Sequence, residues 1–248
     1  IHEVKIIVKD PKGNSSVLEF KIKKGITNKE AIENNPASDK DLQEFRPGFV
    51  NVFESQNLEL FLDPEAIYDS FAFIHYKKAI NAPGSYSDLH AVESGLVPVQ
   101  DYFTLRIKAD KAVPPELRDR MLIKRTWGSK TEVEKATGNG DWYSARFRDF
   151  GNFELIADDI PPVITGGFRD NANLSKASRI FFIPKDNNEA IKSFNAMLDG
   201  KWLMFTNDKG KAFIYNFDEM CARGKHELKI NVQDEAGNTT EKTYHFTR

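Results

Sequence analysis

Residues 226–238 have the sequence HELKINVQDEAGN, and residues 2–14 have the related sequence HEVKIIVKDPKGN, 224 positions earlier. In both stretches apolar residues alternate with mostly polar ones, which is the period of a β-strand with one buried face. The Asp-x-x-Gly-Asn segment that follows suits a turn, because Asp accepts a turn amide and Gly adopts a positive φ without steric cost. Each copy is therefore predicted to be a β-hairpin, whose second strand ends near Ile22 in the first copy and Phe246 in the second.

The later hairpin closes a segment that is rich in short strand patterns. The Asp199-Gly200 dipeptide between two of these patterns is a strong hairpin signal. The predicted strands are 163–164, 179–183, 191–198, 201–205, 212–217 and the two strands of the hairpin. About seven short strands in under 100 residues are typical of an immunoglobulin-like β-sandwich, here without the cysteine pair of antibody domains. We expect this domain to occupy residues 161–248.

A second β-sandwich is predicted over residues 49–160. Its expected strands are 49–53, 58–62, 71–76, 102–107, 121–127, 142–147 and 151–156. Proline at the first position of 64–68 favours a single helical turn there. Asp158-Asp159-Ile160-Pro161-Pro162 then provides a stiff junction, because consecutive prolines fix φ and favour an extended backbone.

The first hairpin, 1–24, matches the end of a sandwich rather than its beginning. It is therefore predicted to be left from a truncated upstream immunoglobulin-like domain. Because an isolated hairpin is marginal in water, it must either dock on the following domain or be completed by another copy or chain, and docking is predicted. Residues 25–48 are polar and charged, and are predicted to form a linker. The predicted fold class is all-β, with tandem β-sandwich domains preceded by this hairpin.

The composition argues against nucleic-acid binding, a membrane span and an internal disulfide, and it favours β-structure. The formal net charge of the 248 residues is −2, which gives no bulk attraction for nucleic acid. No apolar run approaches the length of a membrane span. The single cysteine, Cys221, cannot form an internal disulfide. Nineteen phenylalanines favour strands, in which aromatic residues pack well.

The chain lacks the motifs that carry catalysis or bind metals. None of its five histidines lies two or four residues from another, which excludes the common zinc-binding pairs. Nucleophile elbows, P-loops and dinucleotide fingerprints are also absent. Asp10, Asn14, Asp234 and Asn238 could serve as calcium ligands, but a short turn framed by one Asp and one Asn favours turn chemistry. No catalytic and no metal residue is predicted.

The aromatic residues Trp127, Trp142, Tyr143 and Trp202 are the candidates for ligand binding. Their flat apolar faces could pack on sugar rings, and packing in the core or at its rim is the competing interpretation. The basic residues between Arg118 and Lys130 could bind an anionic polymer, but a solvated strand face is the favoured explanation for them.

Three passages, in this order, carry a resemblance to a known family. They are 96–103; 142–164, with Arg148-Asp149-Phe150-Gly151-Asn152-Phe153; and 198–202 followed by 224–226 and 234–238. In these passages the chain resembles the C-terminal β-sandwich region of exported lysostaphin-like (M23) zinc peptidases of Gram-negative bacteria. The resemblance implies that zinc and catalysis belong to an upstream domain, because the family's His-x-His ligand pair does not occur here.

The leading hypothesis is a non-catalytic accessory region of an exported cell-envelope peptidase that acts on peptidoglycan, with a spacer or substrate-positioning role. It implies location in the periplasm or at the cell surface and no cofactor in this chain. The expected partners are the upstream catalytic domain and, as a second candidate, peptidoglycan or another glycan. The alternative is a glycan-binding or adhesion module of a bacterial surface protein. A free-standing enzyme on a sandwich fold has the least support, since fold alone does not supply function.

Overall fold

The structure is a computed structural model that describes residues 2–22, 43–80, 82–208 and 211–248. The described residues are nearly all β, with 56% of them in strands and 3% in helix, which confirms the predicted fold class. It divides into two compact units, 1–41 and 42–248. No helix among the described residues is long and apolar enough to cross a membrane.

The first unit is the predicted hairpin, formed by β1 (His2–Lys9) and β2 (Ser15–Ile22). The strands are antiparallel, with Val4 opposite Phe20 and Ile6 opposite Leu18 on one face. Ion pairs between Lys5 and Glu19 and between Lys21 and Glu3 lie on the other face. Residues 23–42, which include most of the predicted linker, lie outside the described residues, and docking of the hairpin stays a prediction.

The second unit begins with the first of two sandwiches. Its strands are β3 (Glu44–Phe45), β4 (Asn51–Glu54), β5 (Leu58–Leu62), β6 (Phe71–Ala72), β7 (His75–Lys78), β8 (Leu89–Val92), β9 (Phe103–Lys108), β10 (Met121–Trp127), β11 (Lys130–Lys135), β12 (Thr137–Asn139), β13 (Trp142–Phe147) and β14 (Gly151–Ala157). Two five-stranded sheets, in the orders β11-β10-β14-β8-β7 and β12-β13-β9-β5-β4, enclose a core rich in phenylalanine. Strands β3 and β6 form a separate pair.

Several details of this sandwich differ from the predictions. The segment 64–68 is a turn and not a helical turn, because its backbone bonds join other segments: Gln100 N donates to Ala66 O (2.7 Å) and Gly48 N to Pro64 O (2.7 Å). A short 3₁₀ helix lies instead at Pro115–Arg120. Strand β3 falls within the predicted linker, and the fully buried Phe45 belongs to the core, so the sandwich begins before residue 49.

The second sandwich follows at residue 163. Its strands are β15 (Val163–Gly166), β16 (Ala172–Asn173), β17 (Arg179–Lys185), β18 (Ile191–Leu198), β19 (Lys201–Trp202), β20 (Thr206–Asp208), β21 (Ala212–Asn216), β22 (Lys225–Asp234) and β23 (Thr239–Thr247). The sheets have the orders β15-β17-β21-β20 and β16-β23-β22-β18-β19. The predicted strand 201–205 is divided, because the chain leaves one sheet after Trp202 and enters the other at Thr206.

Candidate functional site at the junction of the sandwiches

An apolar cluster joins the two sandwiches. Leu122, Val133 and Ile156 of the first sandwich are buried together with Ala236, which lies in the turn between β22 and β23. Ala190 of the second sandwich packs against this cluster from the side. The turn of the repeated hairpin is therefore part of the interface between the sandwiches.

Polar groups surround the same turn and bind its backbone. Arg120 Nη1 donates to the carbonyl oxygen of Ala236 (3.3 Å), and the Lys135 ammonium donates to that oxygen as well. Burial, followed by the nearby Arg120 charge, lowers the pKa of Lys135. Gly237 has a φ of +91°, a backbone conformation that favours glycine, and an added Cβ would lie 3.0 Å from Arg120 Nη1.

The Asp-x-x-Gly-Asn turn forms as predicted. Asp234 Oδ1 accepts from Asn238 N and Oδ2 accepts from Asn238 Nδ2, both at 2.8 Å. The Asn238 amide also donates to the carbonyl oxygen of Asp158 (2.9 Å), which lies at the end of the first sandwich. One asparagine side chain therefore closes the turn and connects it to the segment that links the sandwiches.

Three carboxylates converge beside this turn. One oxygen from each of Asp158, Asp186 and Asp234 lies within 4.8 Å of the others. Asp158 accepts from the side-chain amides of Asn187 (3.1 Å) and Asn188 (2.8 Å), which connect it to the second sandwich. Asp158 and Asp234 are buried, with 2% and 0% of their surface exposed.

Asp186 differs from the other two carboxylates in its incomplete hydrogen bonding. Its Oδ2 accepts from Asn188 N (2.8 Å), but its buried Oδ1 has no hydrogen-bond partner. Burial is the main cause that raises the pKa of Asp186, and the Asp158 and Asp234 charges raise it further. Carboxylate oxygens are the ligands that Ca²⁺ and Mg²⁺ prefer, so within the described part of the chain these three side chains could hold such a cation.

Sequence reasoning did not find this cluster. It assigned Asp234 and Asn238 to the turn and Asp158 to the spacer, because 76 residues separate Asp158 from Asp234. The available signal was the position of Asp158 next to the proline pair, since a residue at a domain boundary can meet the loops of the next domain. Asp186 follows β17 and carried no pattern of its own.

The four aromatic candidates do not form one binding surface. Tyr143, 3% exposed, is part of the core of the first sandwich. Trp142 lies on the same strand, half-buried, with the Arg106 guanidinium 5.2 Å from its ring centroid. Trp127, at the end of β10 in the opposite sheet, is half-buried against Gly95, at which an added Cβ would lie 2.5 Å from Trp127 Cγ.

Trp202 is the candidate whose ring is available to a ligand. It is 61% exposed and lies on β19, just after the Asp199-Gly200 turn. It lines a shallow cavity together with Asp199, Lys201 and Met220. This site belongs to the second sandwich alone.

Comparisons with known proteins concern mainly the first sandwich. A model of the Zu5-like domain family matches residues 43–158, slightly less than half of the chain, and these limits enclose β3 to β14. No curated protein matches the chain.

Similarity to solved structures is distant. Fibronectin(III)-like modules of Clostridium thermocellum CbhA have 10% sequence identity and a TM-score of 0.29, over 62% of this chain and 86% of theirs. The extracellular domain of a protein described as a one-component system from B. thetaiotaomicron has 12% identity and a TM-score of 0.26. That alignment covers 97% of this chain and 36% of the other.

Proposed function

We propose that this chain is a non-catalytic accessory region of an exported cell-envelope peptidase of the lysostaphin-like kind. In this role it holds its two sandwiches in one relative orientation and acts as a spacer or substrate-positioning element. The observation that carries the proposal is the junction, in which apolar and polar contacts both cross from one sandwich to the other. The peptidase parent is supported by the sequence resemblance described above.

The junction resists bending for two physical reasons. Separating the sandwiches would expose the apolar cluster around Leu122 and Ala236 to water, which is unfavourable in proportion to the area exposed. It would also break the bond from Asn238 to Asp158, whose groups are buried, and buried polar groups that lose their partners are costly. The two kinds of contact act at one place and favour a single orientation.

The orientation can be measured by the distance between two spin labels. The labels are placed on cysteines that replace the exposed Lys130 and Asn195, one in each sandwich, in a Cys221→Ala background. We expect a single narrow distance distribution in the otherwise unchanged chain. Ala236→Lys places a charged side chain in the apolar cluster and should broaden the distribution.

The matched control is Lys12→Ala, at the equivalent position of the first hairpin, which should leave the distribution unchanged. A broad distribution in the chain without either change would rule out a fixed spacer.

The non-catalytic part of the proposal has its own test. The chain is incubated with zinc and purified peptidoglycan, and the release of soluble fragments is followed. We expect no release above the background without protein. Release that stops when a chelator is added would show that this chain itself hydrolyses peptidoglycan.

The exposed ring of Trp202 favours a second candidate function, binding of a glycan. A flat apolar ring beside Asp199 and Lys201 offers both a stacking face and hydrogen-bonding groups, the combination that sugar rings require. In a peptidoglycan pull-down, Trp202→Ala should reduce binding at least about tenfold, the loss of roughly one stacking contact. Trp142→Ala is the control, because Arg106 lies over that ring. Equal binding by both variants would remove this candidate.

A further inference from the structure

A histidine pair lies at one side of the first sandwich, with His90 fully buried and His75 half-buried. His75 Nε2 and His90 Nδ1 are 3.1 Å apart, a hydrogen-bonding distance. The two rings are stacked, with centroids 5.4 Å apart and an angle of 13° between the planes. His90 has no exposed surface, and its Nε2 is buried without a hydrogen-bond partner.

The pair connects an edge strand to the rest of the sandwich. Strand β7, which carries His75, is at the end of its sheet, and among the described strands it pairs only with β8. His90 on β8 is opposite Lys77, two residues after His75, so both histidines lie on the face that also carries the fully buried Val92. Phe53 of the facing sheet contacts His75, with ring centroids 5.0 Å apart.

The hydrogen bond between the rings limits how many protons the pair can hold. One ring must donate an N–H and the other must accept it with a lone pair. A pair that gains one proton keeps the bond, with His75 as the imidazolium that donates Nε2–H to His90 Nδ1, while neutral His90 carries its single ring hydrogen on Nε2. When both rings are imidazolium, each facing nitrogen carries a hydrogen, the bond is lost and two positive charges are buried together.

The surrounding charges act on the pair from both strands. The charge of Lys77 on β7 disfavours protonation of both rings. Asp88, just before β8, favours protonation of His90 and so partly offsets the effect of Lys77 on that ring. Asp88 also forms an ion pair with Lys77 at 2.9 Å. The carboxylate of Glu93, after β8, accepts from the amides of Ile74 and Ser94. The neighbours facing the pair from β4 and β14 include the uncharged rings of Phe53 and Phe153.

We propose that His75 and His90 form an acid-sensitive latch, which holds the edge strand β7 on the first sandwich while at least one ring is neutral and releases it when both are protonated. Burial is the main cause that lowers the pKa of each ring to about 4. Since the ordinary value is 6.5, stability from the neutral rings is present at and above that pH and is lost as the pH falls toward 4. Because an opened ring recovers its ordinary pKa of 6.5 and takes up a proton, one ring favours opening about 20-fold between pH 7 and pH 5.

The direct test is hydrogen exchange of the full chain at pH 7 and pH 5, corrected for the intrinsic exchange rates. We expect the opening of β7 and β8 to increase at least about tenfold at pH 5. Strands β18 and β22 of the second sandwich are the internal reference and should change much less. An increase of the same size in both sandwiches would overturn the latch.

The double variant His75→Phe/His90→Leu replaces the pair with apolar side chains and should lose the extra opening at pH 5. His2→Asn, which removes an exposed histidine of the first hairpin, is the control and should keep it. If the double variant does not fold, NMR of the unchanged chain is the alternative test, because the ring resonances of His75 and His90 report the pH at which each ring is protonated. Protonation of both rings near pH 6.5 with no change in β7 would contradict the proposal.

Discussion

The two copies of the repeated hairpin have nearly the same local structure in different surroundings. In the first copy Asp10 accepts from Asn14 N (2.9 Å) and Asn14 Nδ2 (2.8 Å), as Asp234 does from Asn238 in the second. The glycines of the two turns have φ values of +88° and +91°. The first turn is exposed, whereas the second is buried at the junction of the sandwiches.

The comparison distinguishes the residues that form the turn from the residue that packs against the other sandwich. The shared Asp, Gly and Asn are sufficient for the turn, because the Asp–Asn hydrogen bonds that close it are local and occur in both copies. The apolar contact with the other sandwich depends on a position at which the copies differ, Lys12 in the first and Ala236 in the second. Ala236 fits an apolar cluster that a lysine side chain would disrupt.

The largest difference between the copies is expected at equivalent isoleucines. Ile230 is 0% exposed in the core of the second sandwich, whereas Ile6 is 45% exposed. Ile230→Ala should lower the free energy of unfolding by about 3 kcal/mol, since it removes buried methyl groups and leaves a cavity. Ile6→Ala should change it by less than about 0.5 kcal/mol. Urea unfolding followed by circular dichroism compares them, and similar losses would show that the first copy is buried too.

A smaller difference is expected at the asparagines that close the turns. Asn238→Ala removes the amide that bonds Asp234 and Asp158, and leaves two buried oxygens without that donor. We expect a loss of about 2 kcal/mol. Asn14→Ala breaks the same local bond at an exposed turn and should cost less than about 1 kcal/mol. Calorimetry of the two variants tests this, and equal effects would mean that the junction adds nothing to the turn.

The smallest effect is expected at Asp186, which has no counterpart near the first turn. Asp186→Asn removes one of three converging negative charges, and should raise stability at pH 7 by about 1 kcal/mol in a buffer with chelator. The raised pKa of Asp186 gives the sign, because the cost of its charge is present above that pKa and disappears as the pH falls toward 4. The gain should therefore shrink in acid.

The control for this charge effect is Asp159→Asn, which removes an exposed carboxylate from the same junction. Thermal unfolding at pH 7 and pH 4 measures both variants. A gain at Asp186 that is independent of pH, or that Asp159→Asn reproduces, would assign the effect to something other than the three converging charges.

Strands with clear alternation were predicted from the sequence, and less regular ones were missed. The predicted 58–62, 121–127 and 142–147 agree with β5, β10 and β13. The missed β11, with sequence KTEVEK, is polar because it lies at a sheet edge and buries Val133 alone. The missed β8 has three consecutive buried residues and so lacks alternation, since its two faces are both covered.

The candidate sites were less predictable than the strands. Trp202 was named for its flat apolar face, but the same reasoning named Tyr143, which is buried in the core. A strand sends successive side chains to opposite faces, and sequence position does not show which face is covered. The exposure of Trp202 and the covering of Trp142 by Arg106 depend on neighbouring strands.

The sequence by itself determined the all-β class, the repeated hairpin and the chemistry of its turns, because these depend on contacts between residues close in the chain. Only the tertiary structure decided that Asp158 and Asp186 meet Asp234, and that His75 meets His90. It also decided that one turn is exposed while its copy joins two domains. Burial and convergence arise from packing between distant segments, which local periodicity does not encode.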